Sequence, residues 1–557
     1  MRDAWFVESY DRSRWQHVAV GSTPQSAFDT ADGYAWYATE FTEPASRVAR
    51  AIVFAGIDDA AEVWLNGTLL GSHSGHSEPF VFHPAQVLRV GKNVLVIRVQ
   101  DYGGPGGITK PITLCDSTEV ESLLRSKYST MSARKSEEWV KNAIVYEVYL
   151  RSFSPEGTFK GLENRLGELQ KLGVTVVWLM PIHPVGEMNR KGSLGSPYAI
   201  QDYYRINPEF GTETDFRSLV RAVHASGMRI IIDLVANHTS WDSKLMLDHS
   251  NWFTHDEEGA IVSPNPDWSD VADLNYDHHE LRKYMIEMMK YWVRDFDIDG
   301  YRCDVAELVP TEFWEIARNE LDKIKPVMML AEGTLPEEHQ SAFDLTYAWN
   351  VYDQFSGTVN SVAAAHDFEK LLKNESYLYP KNSLRLRFNT NHDKNAWDAP
   401  AVNKFGAEGA KLTAVVTFTL PGVPLVYNGE EVGNARRLSL FEKVSIEWVD
   451  KNGFRDLYSA LTRLRRDHPV FVDGEIQFLN VAGEKTLAYV RTKGNERVLV
   501  AANFSRQSQR VELDCSSLRT AAVMEFFSGV RVEIPSSTLS MTIGGLGYTV
   551  LIASTVQ

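Results

Sequence analysis

Residues 228–235 have the sequence Met-Arg-Ile-Ile-Ile-Asp-Leu-Val, and a short apolar run of this kind is typical of a strand buried in a parallel sheet. Similar runs precede it at 143–149 and 174–180. Helical stretches separate such runs, and one of them, Leu281–Phe296, carries apolar residues at helical spacing along one face. Because strands and helices alternate over about 300 residues, the sequence predicts a parallel sheet covered by helices.

The number of candidate strands indicates a closed barrel. Eight strand–helix units fit a (β/α)8 TIM barrel, which we predict for residues 137–465. An irregular stretch at 238–275 follows the third strand, and a loop of that length in a compact barrel is usually functional. The five strands predicted after it lie at 300–306, 327–332, 345–349, 384–389 and 423–427.

The segments on either side of the barrel have the pattern of β domains. In residues 1–125 short apolar runs alternate with turn signals such as Asn66-Gly67, which predicts an N-terminal β-sandwich. Residues 470–557 lose the helical pattern, which predicts a C-terminal antiparallel β domain. The stretches 63–71 and 91–99 resemble the jelly-roll domains in front of many glycosidases. Such domains bind sugar in some proteins and only pack or dimerise in others, and the sequence leaves both open.

Composition excludes several classes of partner. A net charge of −16 repels phosphate backbones and anionic bilayers, so we expect neither nucleic acid nor membrane as a partner. Neutral sugars suit a chain with 14 Trp and 22 Tyr. The three cysteines are far apart, so no disulfide framework or zinc site is indicated. No apolar run reaches signal-peptide or membrane-span length, and we therefore expect a cytoplasmic protein.

Polar residues end four of the predicted barrel strands. The carboxyl ends of barrel strands gather at one rim, where the active sites of such barrels lie. A single Asp at a strand end is more often a cap or turn residue, but four converging ends are hard to explain as capping. The four segments are Asp233–His238, Gly300–Ala306, Met329–Gly333 and Asn389–Asp393.

Together these four segments resemble the four sequence regions of the α-amylase family (glycoside hydrolase family 13), in the same order and with similar intervals. Residues 195–211 are also similar to a family segment. The resemblance implies that Asp304 is the nucleophile, that Glu332 is the general acid/base, and that Asp393 holds the 2- and 3-hydroxyls of a distorted sugar ring. It also implies that the stretch at 238–275 is the family's domain B.

The physical requirements of acetal cleavage agree with these roles. One carboxyl group must protonate the leaving oxygen while another traps the oxocarbenium-like centre, and retention needs the two roughly 5 Å apart. Arg302 lies two positions before Asp304, on the same side of the strand, and is expected to hold that carboxylate ionised. Glu332 must start protonated, and we expect its neighbours Asp304 and Asp393 to raise its pKa by charge repulsion.

Further residues match the family's substrate contacts. His238 and His392 match ligands of the sugar hydroxyls, and Tyr198 matches the ring that stacks on the sugar before the cleaved bond. Asp202 matches a residue that buttresses the site. Arg302 completes the predicted binding set, and Cys303, which points away from Asp304, is expected to pack outside the barrel.

The sequence also departs from many α-amylases. Asn237 matches one ligand of their structural calcium ion, but Leu308 stands where another ligand, a His, is expected, and Glu307 precedes it. We therefore predict no required cofactor, although calcium elsewhere stays possible. The segment Asp304–Ala306 is more similar to the cyclomaltodextrinase, neopullulanase and maltogenic-amylase branch, whose members are often dimers, so a homodimer is predicted.

The resulting prediction is a retaining hydrolase of α-1,4 and possibly α-1,6 glucosidic bonds in short or cyclic maltooligosaccharides. A transglycosylase or glucosyl isomerase would use the same covalent intermediate, and the sequence does not separate these activities. A non-catalytic barrel that only binds sugar would lack one of the three carboxylates, and all three are present.

Overall fold

The computed structural model describes residues 5–19, 33–44, 50–57, 60–74, 79–101, 107–360 and 363–553. The chain divides into two compact units. The first comprises Met1–Met131 with Lys370–Lys381, and the second comprises Ser132–Glu369 with Asn382–Gln557. The barrel and the C-terminal β domain therefore belong to one unit.

The first unit is a β-sandwich, as predicted. A shared apolar core that includes Phe54, Val63 and Ile97 lies between its two sheets. Asn66 (φ 51°) and Gly67 (φ 79°) form the predicted hairpin turn, because both adopt the left-handed backbone that such turns require. The four-stranded sheet has the order β1-β6-β3-β4 and the other β5-β2-β7, formed by β1 Gly33–Glu43, β2 Arg50–Phe54, β3 Ala60–Leu65, β4 Thr68–Ser74, β5 Phe80–Phe82, β6 Gly91–Asp101 and β7 Ile112–Asp116; helix α1 (Val120–Leu124) follows.

The second unit is built on a closed barrel of eight parallel strands. All eight strands lie where the apolar runs predict them. Gly300 opens the fourth with φ 146°, and a Cβ there would lie 1.9 Å from the Met328 carbonyl oxygen, so only glycine fits between the fourth and fifth strands. In barrel order the strands are β8 Val145–Val148, β9 Val176–Leu179, β10 Arg229–Leu234, β13 Gly300–Cys303, β14 Met328–Ala331, β15 Leu345–Tyr347, β16 Leu384–Arg387 and β17 Val423–Tyr427, with β17 paired back to β8.

The stretch at 238–275 contains more structure than its irregular sequence predicts. Strands β11 (His238–Ser240) and β12 (Val271–Asp273) pair antiparallel. Each strand is only three residues long, which is too short for a periodic pattern to show in the sequence.

Amphipathic helices cover the barrel. The predicted helix at 281–296 is confirmed as α8 (His279–Phe296), which buries Leu281, Met285, Met288, Trp292 and Phe296 on one face. No helix among the described residues has both the length and the apolar character to cross a membrane. In the second unit the helices are α2 Glu138–Lys141, α3 Leu150–Phe153, α4 Phe159–Glu163, α5 Leu166–Leu172, α6 Glu213–Ala225, α7 Lys244–Asp248, α8 His279–Phe296, α9 Thr311–Asp322, α10 Glu338–Ser341, α11 Trp349–Val359, α13 Ala401–Thr419, α14 Phe454–Asp467 and α15 Val470–Asp473, and α12 (Asp367–Leu378) runs into the first unit.

The C-terminal region is antiparallel, as predicted. Its core includes Leu499, Val511 and Leu551, contributed by both of its sheets. The larger sheet has the order β18-β19-β20-β25-β22-β23, and the smaller pairs β21 with β24; the strands are β18 Glu475–Phe478, β19 Thr486–Lys493, β20 Glu496–Asn503, β21 Gln509–Asp514, β22 Ala522–Glu525, β23 Arg531–Glu533, β24 Thr538–Ile543 and β25 Tyr548–Ala553.

Candidate active site

The alternation of side chains along β13 sets the inner and outer faces of the site. The Tyr301 hydroxyl donates to the carbonyl of Met289 in α8, so this face of the strand points to the helices. Cys303 shares that face and is fully buried, and burial raises the pKa of its thiol well above the usual range. Arg302 and Asp304 therefore point together into the barrel.

Arg302 holds three carboxylates with one guanidinium. Its Nη1 lies 2.9 Å from Asp233 Oδ1 and 2.8 Å from Asp304 Oδ1, and its Nη2 lies 2.7 Å from Glu332 Oε2. Nε donates to the Tyr347 hydroxyl at 3.3 Å. The Nη1 contacts are hydrogen bonds and the Nη2 contact with Glu332 is an ion pair, so one positive charge holds the two predicted reacting acids at the ends of neighbouring strands.

The residue after the predicted nucleophile has an unusual backbone. Val305 has φ 37° and ψ 48°, a left-handed conformation that a β-branched residue rarely adopts. This turn directs the Val305 N–H to Glu332 Oε2, which accepts it at 2.9 Å. Strain of this kind persists only where the surroundings impose it, and such positions cluster at functional sites.

Burial raises the pKa of all three carboxyl groups that Arg302 contacts. The pKa of Glu332 rises to about 7, and those of Asp304 and Asp233 rise to about 6, with burial as the largest cause and the charge of Arg302 opposing it. The pKa of Glu332 is raised, as predicted, but the predicted main cause of that rise was wrong. Repulsion by Asp304 and Asp393 adds to burial and is not the largest effect.

His392 lies in a chain of hydrogen bonds inside the barrel. Its Nδ1 is 2.5 Å from Glu147 Oε1, and its Nε2 is 2.7 Å from the Tyr198 hydroxyl and 3.3 Å from Asp393 Oδ2. Burial lowers the pKa of this imidazole, but the carboxylates of Asp393 and Glu147 oppose burial and raise it to about 9. A charged His392 donates from both ring nitrogens, which leaves the Tyr198 hydroxyl free to donate to Asp233 Oδ2 at 3.2 Å.

Glu147 was not among the predicted site residues. It lies on β8, is fully buried, and contacts a histidine 245 positions away in the sequence. One signal was available: Glu147 is the only charged residue in the apolar run 143–149. A charge in a buried strand needs a partner, so the run itself indicated an inward-facing acid.

The remaining predicted contact residues, Tyr198 and His238, lie beside the acidic cluster formed by Asp233, Asp304, Glu332 and Asp393. The Tyr198 ring stacks on His392 with centroids 5.4 Å apart. His238 Nε2 lies 3.8 Å from Asp304 Oδ2, and burial lowers the pKa of this histidine to about 3, so the ring is neutral. The Asp393 side chain is 29% exposed, against 15% for Glu332 and 9% for Asp304. The cluster therefore opens to solvent on the side of Asp393.

Asp202 lies in a turn next to Tyr203, whose hydroxyl donates to the backbone carbonyl of His238 at 3.0 Å, and its buttressing role stays a prediction. Its carboxylate accepts from the Tyr204 N–H at 2.9 Å and lies 3.6 Å from the exposed Arg205. An Asp side chain that bonds the backbone two residues ahead forms a local turn.

The residues at the position of the usual calcium ion do not fit a metal. The Asn237 side chain donates to Asp273 Oδ1 at 3.4 Å, and Leu308 is 55% exposed and offers no ligand atom from its side chain. Glu307 accepts from the Thr334 N–H at 3.0 Å instead. Among the residues that the structure describes, no group of three or more His, Cys, Asp or Glu is placed to hold a metal ion.

Comparisons with known proteins agree with this geometry. The model of the alpha-amylase catalytic domain matches residues 127–268 and 250–470. The C-terminal domain of maltogenic amylase matches residues 476–550, and the second all-beta domain of beta-galactosidase matches residues 2–104. The chain is thus similar to known families along nearly its whole length.

Individual relatives lie in the same family. The solved structure of a noncanonic maltogenic alpha-amylase, AmyB from Thermotoga neapolitana, is 34% identical with a TM-score of 0.69, over 74% of this chain and 99% of that one. The cyclomaltodextrinase of Geobacillus thermopakistaniensis is 24% identical, over 74% of this chain and 77% of its own. The alpha-amylase MalA of Haloarcula japonica is 26% identical over 70% of this chain, which spans only 59% of that relative's length.

The catalytic-domain match covers well over half of the chain, and the site in the barrel has the acids that the family's chemistry requires. The chain belongs to the α-amylase family of glycoside hydrolases.

Proposed function

We propose that the protein is a retaining hydrolase of α-1,4 glucosidic bonds in short or cyclic maltooligosaccharides, and panose and pullulan test whether it also cleaves α-1,6 bonds. The observation that carries the proposal is the bridge of Arg302 between Asp304 and Glu332. In the first step Glu332 protonates the leaving oxygen while Asp304 attacks the anomeric carbon and forms a glycosyl ester. In the second step Glu332 takes a proton from water, which attacks the same carbon and releases Asp304.

The bridge supports retention over inversion. Retaining enzymes hold their two carboxyl groups about 5 Å apart, whereas inverting enzymes need a wider gap for a water molecule. A single guanidinium that reaches both acids at 2.7 and 2.8 Å favours the narrow spacing.

The neighbouring groups have distinct parts in this mechanism. Asp393, the most exposed of the acids, is placed to bind ring hydroxyls at the open side of the cluster. The charged His392 holds Tyr198 and lies against Asp393, the neutral His238 offers a hydrogen bond to the sugar, and the Tyr198 ring supports its apolar face. Asp233 touches Arg302 and Tyr198, so it acts as a positioning residue.

The substrate class follows from the relatives and has a direct test. The names cyclomaltodextrinase and maltogenic alpha-amylase favour small or cyclic maltodextrins. We expect products from cyclodextrins, maltotriose, pullulan and panose, separated by chromatography, to form faster than products from starch. Preference for starch would contradict the substrate class. Products longer than the substrate at high maltotriose concentration would favour the transglycosylase alternative.

The raised pKa values predict a narrow pH optimum. The nucleophile must be ionised, so kcat/KM should rise as the pH passes the Asp304 pKa of about 6. The acid must be protonated, so kcat/KM should fall as the pH passes the Glu332 pKa of about 7. Rates on a soluble maltooligosaccharide from about pH 4 to about pH 9 measure both limbs.

The falling limb has a specific control. A p-nitrophenyl glycoside needs no protonation of its leaving group, so the first step of the Glu332→Gln variant on this substrate should keep the rising limb and lose the falling one. If the falling limb persists in the Glu332→Gln variant on this substrate, a group other than Glu332 causes it.

A homodimer, a cytoplasmic location, the absence of a required cofactor, and the exclusion of nucleic acid and membranes as partners stay predictions. Sedimentation of the purified chain measures the oligomeric state, and assays with and without a calcium chelator test the cofactor prediction.

A further inference from the structure

Trp397 is unusually exposed for so large an apolar side chain. It is 62% exposed, although rings of this size usually bury most of their surface. It lies four residues after Asp393, in the helical turn Lys394–Asp398 at the rim of the barrel. Asp393 directly precedes this π-helical turn and Trp397 lies about one turn further on, so the two residues belong to the same part of the rim.

The backbone that carries this ring is fixed on both sides. On one side Asn395 Oδ1 accepts the Leu438 N–H at 2.7 Å. On the other, Asp398 Oδ2 accepts the Tyr352 hydroxyl at 2.7 Å and lies 2.6 Å from Lys404 Nζ. The exposed Trp397 ring therefore belongs to a turn that hydrogen bonds and an ion pair hold in place.

A second ring supports Trp397 from the side. The Phe441 ring lies 5.7 Å from it at an interplanar angle of 59°. The Phe441 carbonyl accepts the Leu194 N–H at 3.0 Å, which anchors its segment. The partly buried Phe441 and Tyr198 pack against one hydrophobic cluster that also contains Ala396, so the ring beside Trp397 and the ring of the active site have a common support.

We propose that Trp397, backed by Phe441, is a stacking platform for a glucosyl unit beyond the one held at Tyr198. This inference rests on the proposed function. The C–H face of a glucose ring covers an indole well, and binding would remove the exposed apolar surface from water. The indole N–H has no hydrogen-bond partner among the described residues, so it is available to a sugar hydroxyl. Such a platform acts only on chains long enough to reach it.

The test compares Trp397→Ala with Trp397→Phe on maltotriose and maltohexaose. We expect Trp397→Ala to lower kcat/KM for maltohexaose about tenfold, mainly through KM, and to change maltotriose little. Trp397→Phe keeps an aromatic face and should recover most of the loss. Tyr34→Ala removes a ring of similar exposure (59%) from the β-sandwich and should leave both substrates unchanged.

Binding of maltohexaose by calorimetry, in the Glu332→Gln background, separates this inference from the proposed function. Wild-type protein that cleaves neither substrate would contradict the proposed function, while weaker binding by Trp397→Ala would still support the platform. Equal losses of kcat/KM on both substrates, or unchanged maltohexaose binding by Trp397→Ala, would overturn the platform. A change in oligomeric state with no change in affinity would assign the ring to a contact between copies of the chain and would equally overturn it.

Discussion

Replacing Asp304 by Asn should lower kcat/KM about 10⁴-fold or more while the protein stays folded. The amide keeps the shape of the carboxylate but cannot form the glycosyl ester on which the proposed mechanism depends. Arg302 keeps its ion pairs with Asp233 and Glu332 in this variant, so the barrel should hold together. Hydrolysis rates and the thermal midpoint, measured on the same preparation, check both parts.

Glu332→Gln should show a different defect. On oligosaccharides it loses the proton donor, and its activity should fall by a comparable factor. On a p-nitrophenyl glycoside the first step needs no proton, so a burst of p-nitrophenol should remain, followed by slow turnover of the glycosyl enzyme. Asp304→Asn should give no burst. Identical behaviour of the two variants on this substrate would exclude the separate roles.

An acid at the other end of β13 provides the matched control. Asp297 is exposed, precedes the strand and pairs with Lys325 at 2.6 Å. Asp297→Asn makes the same chemical change and should retain full activity, because Asn also tolerates the left-handed backbone (φ 62°) at this position.

The fold could be predicted from the sequence because each barrel strand is buried on both faces and therefore appears as a continuous apolar run. The run at 228–235 shows this, and β10 occupies Arg229–Leu234 within it. The inward direction of Asp304 was also predictable, because side chains alternate along a strand and Arg302 shares its face.

Other features of the site depend on contacts that form only when the chain folds, and the sequence could not predict them. The contact of Glu147 with His392 joins the first barrel strand to the loop that follows the seventh, and no spacing in one sequence encodes it. The left-handed turn at Val305 runs against the preference of a β-branched residue, so local propensity predicts the opposite.

Replacing Arg302 by Met should destabilise the protein by about 3–5 kcal/mol at neutral pH. Methionine has a similar length but removes the one cation that contacts Asp233, Asp304 and Glu332. These carboxylates are buried, and a buried charge that loses its partner is far more costly than an exposed one. Activity should fall as well, because both reacting acids lose the group that positions them.

The loss of stability should depend on pH, with a sign that follows from the raised pKa values. The three carboxyl groups already have folded-state pKa values of about 6 to 7, above those of ordinary carboxyl groups. Loss of Arg302 removes the charge that lowers them, so they should rise further. A carboxyl group whose pKa is higher in the folded state stabilises the fold at low pH and loses that contribution as the pH rises through the folded-state value.

The difference between wild type and Arg302→Met should therefore be small at about pH 5, where the acids of both proteins are mostly protonated, and large at about pH 8. Denaturant unfolding at the two pH values measures it. Arg294→Met, which removes an exposed arginine paired with Asp295 at 2.9 Å, should leave the midpoint unchanged at both. An equal loss at both pH values would mean that Arg302 stabilises the barrel by packing, and the account of the site as three acids held by one cation would be wrong.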